Sequence, residues 1–278
     1  MRQYYPILSI AGSDSSGGAG IQADIKTISA IGGYAMTAIT ALTAQSTQGV
    51  SAIVPTSSEM IREQIMTTCL DIRPKAVKTG MIADAAGMEA VADCLVELKL
   101  ENIVVDPVMV STSGSRLSAT DAMDIMKKRI FPLAAIVTPN ISEAIALTGE
   151  TDPLMQAERL HGEGCRAVLL KGGDSERDDM KIDILSVHGE PPAYFRADAV
   201  RTTNTHGTGC TLSSAIATYL AMGYDLESAV MRGKLFVTRA LEAGSFVTTG
   251  RGHGPVNHFF SPRRMKTFNP NRRYENQD

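Results

Sequence analysis

Short apolar runs alternate with longer amphipathic stretches along most of this 278-residue chain, and that alternation limits the fold more than any other feature. The short runs fall at residues 7–11, 34–41, 76–79, 103–105, 135–137, 167–170, 182–187 and 193–197. Between them, helical spacing marks 21–31, 57–70, 85–98, 120–130, a helix opening over 141–147, 154–163, a helix after residue 207, and 226–243. A strand that must meet the next in parallel needs a crossover of about a dozen residues, and the helical stretches supply it. The pattern therefore predicts an α/β fold, a mostly parallel central sheet with helices on both faces. The runs at 182–187 and 193–197 flank His188-Gly189-Glu190-Pro191-Pro192 and predict a hairpin at one sheet edge.

One domain is expected over residues 1–260, because no composition break, repeat or linker divides it. Residues 261–278 lack periodicity and carry Arg263, Arg264, Lys266, Arg272 and Arg273, which predicts a polar surface extension. A content of 44% hydrophobic and 21% charged residues favours a packed core over disorder. A net charge of −3 gives no electrostatic case for nucleic acid or a membrane surface. The four cysteines Cys69, Cys94, Cys165 and Cys210 form no C-x-x-C pair, so reduced thiols are expected rather than disulfides or a zinc site. With no long apolar run and no secretory leader pattern, the expectation is a soluble cytoplasmic protein.

Ligands of open parallel sheets bind beyond the carboxyl ends of the strands, so the residues after each run carry the functional argument. The strongest group is Asn204-Thr205-His206-Gly207-Thr208-Gly209-Cys210. It runs into a helix with apolar residues at Leu212, Ala215, Ile216, Tyr219 and Leu220, a stripe that predicts burial on one face. First-turn N–H groups and the helix dipole attract anions, and Gly207, Thr208 and Gly209 can wrap backbone around one. Cys210 then stands at the mouth of an anion hole. A plain tight turn has the same glycine spacing.

Asp106 follows one strand, and Asn140 and Glu143 follow the next. Together they offer hard oxygen atoms to a Mg²⁺ ion that also holds nucleotide phosphates. A turn cap at Asp106, a helix cap at Asn140 and a dipole-favoured Glu143 account for the same residues. Lys171-Gly172-Gly173 ends another strand, where a lysine can meet phosphate oxygens or simply be solvated. Met81 follows a strand-end glycine and suits a pocket wall, and His206 suits either phosphate contact or a structural role. No G-x-x-x-x-G-K-[ST] occurs. The glycines from 12 to 20 break the dinucleotide order, and Asp14 would repel a pyrophosphate, which disfavours a dinucleotide oxidoreductase. That loop is expected to face a neutral or cationic polar substrate.

Taken together, these motifs resemble the hydroxymethylpyrimidine/phosphomethylpyrimidine kinases of thiamine biosynthesis, within the ribokinase-like superfamily. The resemblance runs from residue 7 to about 260. It is carried by Ala11-Gly12-Ser13-Asp14-Ser15-Ser16-Gly17-Gly18-Ala19-Gly20-Ile21-Gln22-Ala23-Asp24, Ala41-Leu42-Thr43-Ala44-Gln45, Lys78-Thr79-Gly80-Met81, Asp106-Pro107-Val108-Met109, Thr138-Pro139-Asn140-x-x-Glu143-Ala144, Lys171-Gly172-Gly173, the 204–210 motif and Gly252-x-Gly254-Pro255-Val256. It implies a three-layer ribokinase-like sandwich and an ATP-dependent kinase. The implied substrates are 4-amino-5-hydroxymethyl-2-methylpyrimidine and its monophosphate, and the implied assembly is a homodimer.

By the same resemblance, Gln45 binds the aminopyrimidine edge with Asp14 and Met81 beside it. Asp106 and Glu143 serve Mg²⁺. Asn140, Lys171, Gly172, Thr208 and Gly209 meet the nucleotide, and 207–209 form the anion hole. Sugar kinases of the superfamily carry an Asp base where Cys210 stands. The helix N-terminus is expected to lower that thiol from its free pKa of about 8.5 and make it the base. Rival readings are a pyridoxine or pyridoxal kinase on the same fold and a catalytically silent pyrimidine-binding protein. Residues 111–117 and the 182–197 hairpin are the candidates for closing over the site.

Overall fold

The computed structural model describes residues 1–109, 120–172 and 179–270. The expectations on Gly173, 111–117, Arg272 and Arg273 lie outside these residues. A nine-stranded sheet runs through the molecule, built from β2 (Pro6–Asp14), β3 (Tyr34–Ser46), β4 (Gly49–Pro55), β5 (Ala76–Thr79), β6 (Ile103–Val105), β7 (Ile136–Val137), β8 (Ala167–Leu170), β9 (Met180–Val187) and β10 (Ala193–Asp198). Its order is β10-β9-β8-β7-β6-β5-β2-β3-β4. All neighbours from β8 to β3 are parallel, and antiparallel strands close both edges. This is the predicted α/β sandwich with the predicted β9–β10 hairpin.

The second edge hairpin was not expected. β3 continues past residue 41 and turns back into β4. Beyond Ala41 its Leu42 is 55% exposed and Val54 opposite is 62% exposed, so the apolar residues of this hairpin face away from the core. The β3–β4 register shifts between Ala44 and Gln45. Such an irregularity re-aims a side chain, here at a candidate binding residue.

The sheet is covered by α1 (Gly20–Ile31), α2 (Ser58–Asp71), α3 (Ala85–Glu97), α4 (Thr120–Ile125), α5 (Ile141–Thr148), α6 (Pro153–Gly162), α7 (Thr208–Ala221) and α8 (Leu226–Gly244). Pleating sends Ile7 and Leu8 to opposite faces. Leu8 joins the core beneath α2 and α3, and Ile7 the core beneath α1, α7 and α8. The helix expected over 120–130 gives way after Ile125 to a π turn at Met126–Ile130 and a 3₁₀ turn at Phe131–Leu133. α7 differs from its predicted single apolar face, since every residue from Thr211 to Ala221 is buried. Its hydroxyls make this tolerable: Thr211 and Thr218 donate to carbonyls one turn back.

The polar C-terminal stretch is tied to the body through its backbone. The Arg263 and Lys266 N–H groups donate to Ala30 O and Gly32 O. A short strand β11 (Thr267–Phe268) pairs with β1 (Gln3–Tyr4), and Phe268 packs 4.9 Å from Tyr5. Among the described residues, no helix is long and apolar enough to cross a membrane.

Candidate active site

Among the described helix starts, two open at the carboxyl ends of the strands without a side-chain cap. Ser57, Asp84, Asn140, Asp152 and Asp225 cap α2, α3, α5, α6 and α8. α1 follows Ala19 and α7 follows Gly207, and neither has a capping side chain. Gly207 has φ 84°, and a Cβ there would lie 1.8 Å from Gly18 O, so the turn requires glycine. Thr208 N–H reaches Thr205 O at 3.3 Å. Among the described residues, the N–H groups of Gly209 and Cys210 meet no acceptor. Free first-turn amides at the positive end of a helix dipole make an anion site. The Gly20 N–H at the start of α1 lies near enough to the Cys210 sulfur to favour its thiolate, so both open helix ends converge on the thiol.

The oxygen donors gather beside them. Asp106 follows β6 and is 1% exposed. Its carboxylate accepts from Lys171 Nζ at 3.0 Å, Ser213 Oγ at 3.3 Å and Thr138 Oγ1 at 3.4 Å. Lys171 Nζ also lies 3.8 Å from Glu143 Oε2. Burial disfavours the Lys171 charge, but Asp106 and Glu143 outweigh it and hold the ammonium above its ordinary value. Asn140 and Glu143 form a reciprocal capping box, each side chain accepting the other's backbone N–H at 2.8 Å. The cap therefore fixes Glu143 facing Lys171. A Cβ on Gly209 would sit 3.4 Å from Lys171 Nζ and 3.6 Å from Asp106 Oδ2. Glycine keeps that space between loop and lysine open.

A second lysine–carboxylate pair lies on the other side of Cys210, and the sequence reading had not assembled it. Lys78 and Asp24 are both fully buried, with Lys78 Nζ 2.9 and 3.0 Å from the two carboxylate oxygens. Ser9 Oγ and Ser214 Oγ complete the shell at 2.5 and 2.7 Å. Ser213 and Ser214 are consecutive on α7, so one helix turn contacts Asp106 with the first and Asp24 with the second. The only sequence signal was an acid on the apolar face of α1.

The thiol corrects an expectation. Burial pushes Cys210 up to about 11; Asp24 and Asp106 act in the same sense, and Lys78 and the Gly20 N–H only partly offset them. The helix terminus does not make it a resting thiolate, because desolvation is the larger effect.

Asp14 organises the glycine-rich loop. It is 2% exposed, and its carboxylate accepts from Ser16, Gly18, Ala19 and His206 Nε2, the last at 2.8 Å. Burial alone would raise its pKa, but these hydrogen bonds hold it at about 2. His206 is thereby buried in a structural contact rather than offered to phosphate. His206 Nε2 also lies 3.4 Å from the Gln45 amide nitrogen. Gln45 lines an open hollow of about 610 Å³ with Ser15 and Ser51. Met81 packs its sulfur 3.0 Å from where a Gly12 Cβ would stand. Gly172 donates its N–H to Asp183 at 3.0 Å, and Asp183 pairs with Lys234 at 2.7 Å. That anchor of the lysine strand end was also missed, because Asp183 reads as an ordinary hairpin residue. Among the described residues, no cluster of three or more metal-ligating side chains occurs.

Comparison with known proteins bears on this geometry. The family model described as phosphomethylpyrimidine kinase matches residues 14–257. The hydroxymethylpyrimidine/phosphomethylpyrimidine kinase of Rhizobium meliloti is 44% identical over 261 residues, covering 91% of this chain and 96% of that protein. The thiamine biosynthesis bifunctional protein ThiED of Geobacter sulfurreducens is 46% identical over 260 residues; the match covers 92% of this chain and about half, 52%, of that protein. The ADP complex of Bacillus subtilis pyridoxal kinase superposes with a TM-score of 0.84 at 32% identity, covering 92% of this chain and 98% of that one.

Proposed function

The chain belongs to the phosphomethylpyrimidine kinase family and is a phosphotransferase, and on that premise we propose what it phosphorylates and how. It transfers the γ-phosphoryl group of ATP to the hydroxymethyl oxygen of 4-amino-5-hydroxymethyl-2-methylpyrimidine. It then phosphorylates the monophosphate to the diphosphate, in thiamine biosynthesis. The observation that carries this reading is the meeting of the uncapped 207–210 helix start with Lys171, Asp106 and Glu143 around one open space.

In the transfer, the hydroxymethyl oxygen bonds to the γ-phosphorus as the bond to the β–γ bridging oxygen breaks, and ADP leaves. Charge spreads over the three equatorial oxygens of the moving group. The free N–H groups of Gly209 and Cys210 point where that charge develops, and they need no reorganisation to meet it. Lys171 and Gly172 face the nucleotide phosphates with Asn140 and Thr208 beside them. Gln45 offers both a donor and an acceptor to the aminopyrimidine edge, and Met81 packs against the ring. Asp14 acts through the loop it holds. In the fraction of molecules whose Cys210 thiol has lost its proton to solvent, the thiolate Sγ takes the hydroxyl proton as the phosphoryl group arrives, a fraction that grows with pH.

The donor set also suits a magnesium ion carried in with the nucleotide. Asp106 and Glu143 are hard oxygen donors close enough to share one ammonium, and Mg²⁺ favours one or two carboxylates plus phosphate oxygens over an all-protein cage. Held by these two residues, it would neutralise phosphate charge. The working assembly is a homodimer on this reading; light scattering checks it, and a monomer mass contradicts it.

Phosphorus-31 NMR with Mg-ATP and the hydroxymethylpyrimidine, and pyridoxine in a parallel tube, tests the proposal. A diphosphate-ester signal from the pyrimidine is expected. A monophosphate alone removes the second step, phosphate on pyridoxine alone favours the pyridoxal-kinase reading, and untouched ATP in both tubes leaves a silent binder.

A further inference from the structure

α1 and α7 start at the site and end at the opposite end of the strands, on the same face of the sheet, where they help enclose a second cavity. Tyr219 lies eleven residues beyond Thr208, about 16 Å along the axis. The cavity measures about 80 Å³ and is walled by the C-terminal end of α1, by Tyr219, by α8 and by the segment at 260–263. Among the described residues, its lining includes Arg232, Arg239 and Arg263 and no acidic residue. Among the described residues, none of the three makes an ion pair.

The environment of Arg232 is particular. Its guanidinium stacks over Tyr224 at 4.4 Å and lies 5.9 Å from Tyr219. Stacking uses the face of the group and leaves its in-plane donors for hydrogen bonds. Its Nε is buried and, among the described residues, has no hydrogen-bond partner. A buried donor without a protein acceptor is rare and costly, and it calls for an acceptor from outside the chain. The nearby Lys266 ammonium is held below its ordinary value, by partial burial first and then by Arg263 and Arg232. Positive charge thus accumulates here in a chain whose net charge is −3.

We propose that this cavity is an anion-binding site, separate from the kinase centre, that takes one phosphate group, either free or at the end of a small phosphate ester. Three guanidinium forks match the several acceptor oxygens of a phosphate. The volume admits an oxyanion and excludes a nucleoside.

Equilibrium dialysis with radiolabelled orthophosphate tests this, with the kinase centre filled by a non-hydrolysable ATP analogue. One phosphate per chain is expected to remain bound in the parent protein. Arg232→Gln and the double variant Arg239→Gln/Arg263→Gln each weaken that binding at least about tenfold by removing charge-assisted contacts, while kinase turnover stays within about twofold. The double variant sits on exposed positions, so it reports even if Arg232→Gln disturbs packing. Methyl phosphate as a competitor separates the sources: displacement assigns the site to phosphate esters, and no displacement assigns it to the free ion. Absence of bound phosphate beside the analogue, or binding unchanged in both variants, overturns the proposal.

Discussion

Two lysine–carboxylate pairs flank the thiol, made of the same groups yet placed for opposite jobs. Lys78–Asp24 is sealed, with both side chains at 0% exposure and its shell closed by Ser9 and Ser214. Lys171–Asp106 is open: the Lys171 side chain is 12% exposed, Glu143 stands as a second carboxylate at 3.8 Å, and Gly209 leaves space in front. A sealed pair has no partner to exchange and serves as scaffold. An open pair can release its lysine to an incoming phosphate and its carboxylate to a cation. Burial, rather than residue type, divides the roles.

The comparison breaks most visibly on the sealed side. Lys78→Met leaves the Asp24 carboxylate buried without its cation, which costs about 3–5 kcal/mol of stability. Urea unfolding measures the loss, and Lys78→Met/Asp24→Leu recovers much of it. On the open side, Lys171→Met lowers kcat/KM for ATP by about 10²–10³ and lowers the urea midpoint less than Lys78→Met does, because the Lys171 side chain keeps 12% exposure and solvent can reach the site. Equal stability losses from the two lysine variants would erase the distinction.

Between the pairs, Cys210→Ala lowers kcat by about a hundredfold, within the usual span for a general base. With the thiol at about 11, log kcat/KM of the parent climbs with pH from 7 to 10, and the variant loses that climb. Retained turnover in Cys210→Asp supports proton abstraction as the thiol's task.

The smallest effect concerns the loop that both pairs border. Thr211 Oγ1 donates to Gly207 O, so it accepts from His258 Nε2 at 3.1 Å. Burial first, then Lys26 and His206, lower His258 to about 4. Because the unfolded chain binds the proton near pH 6.5 and the folded one only near 4, stability is full above 6.5 and falls as the pH drops toward 4. The loss is roughly 2 kcal/mol at pH 5. His258→Gln flattens this slope, and urea midpoints at pH 7 and pH 5 measure it.

The chemistry at the strand ends was legible because each residue sits in its own local motif. Asn140 and Glu143 are three apart and cap their helix whatever lies elsewhere, and Gly207 and Gly209 mark a turn into α7 by themselves. What escaped depends on distant contacts or on burial. Asp24 and Lys78 are 54 residues apart, and nothing local to either announces the other. The outer half of β3 and all of β4 lie at an edge that little covers, so Val50, Ala52, Ile53 and Val54 form a strand-like run that belongs to no core. The thiol was misjudged because a helix terminus is visible in a sequence and the depth of burial is not.

The most direct test of the open pair as the working pair is single-turnover phosphoryl transfer by Asp106→Asn, with its urea midpoint taken on the same preparation. Lys171 keeps Glu143 as a partner, so the fold should hold while the transfer rate falls by about a hundredfold or more. A rate within threefold of the parent, or a rate loss accounted for by unfolding, would contradict the account.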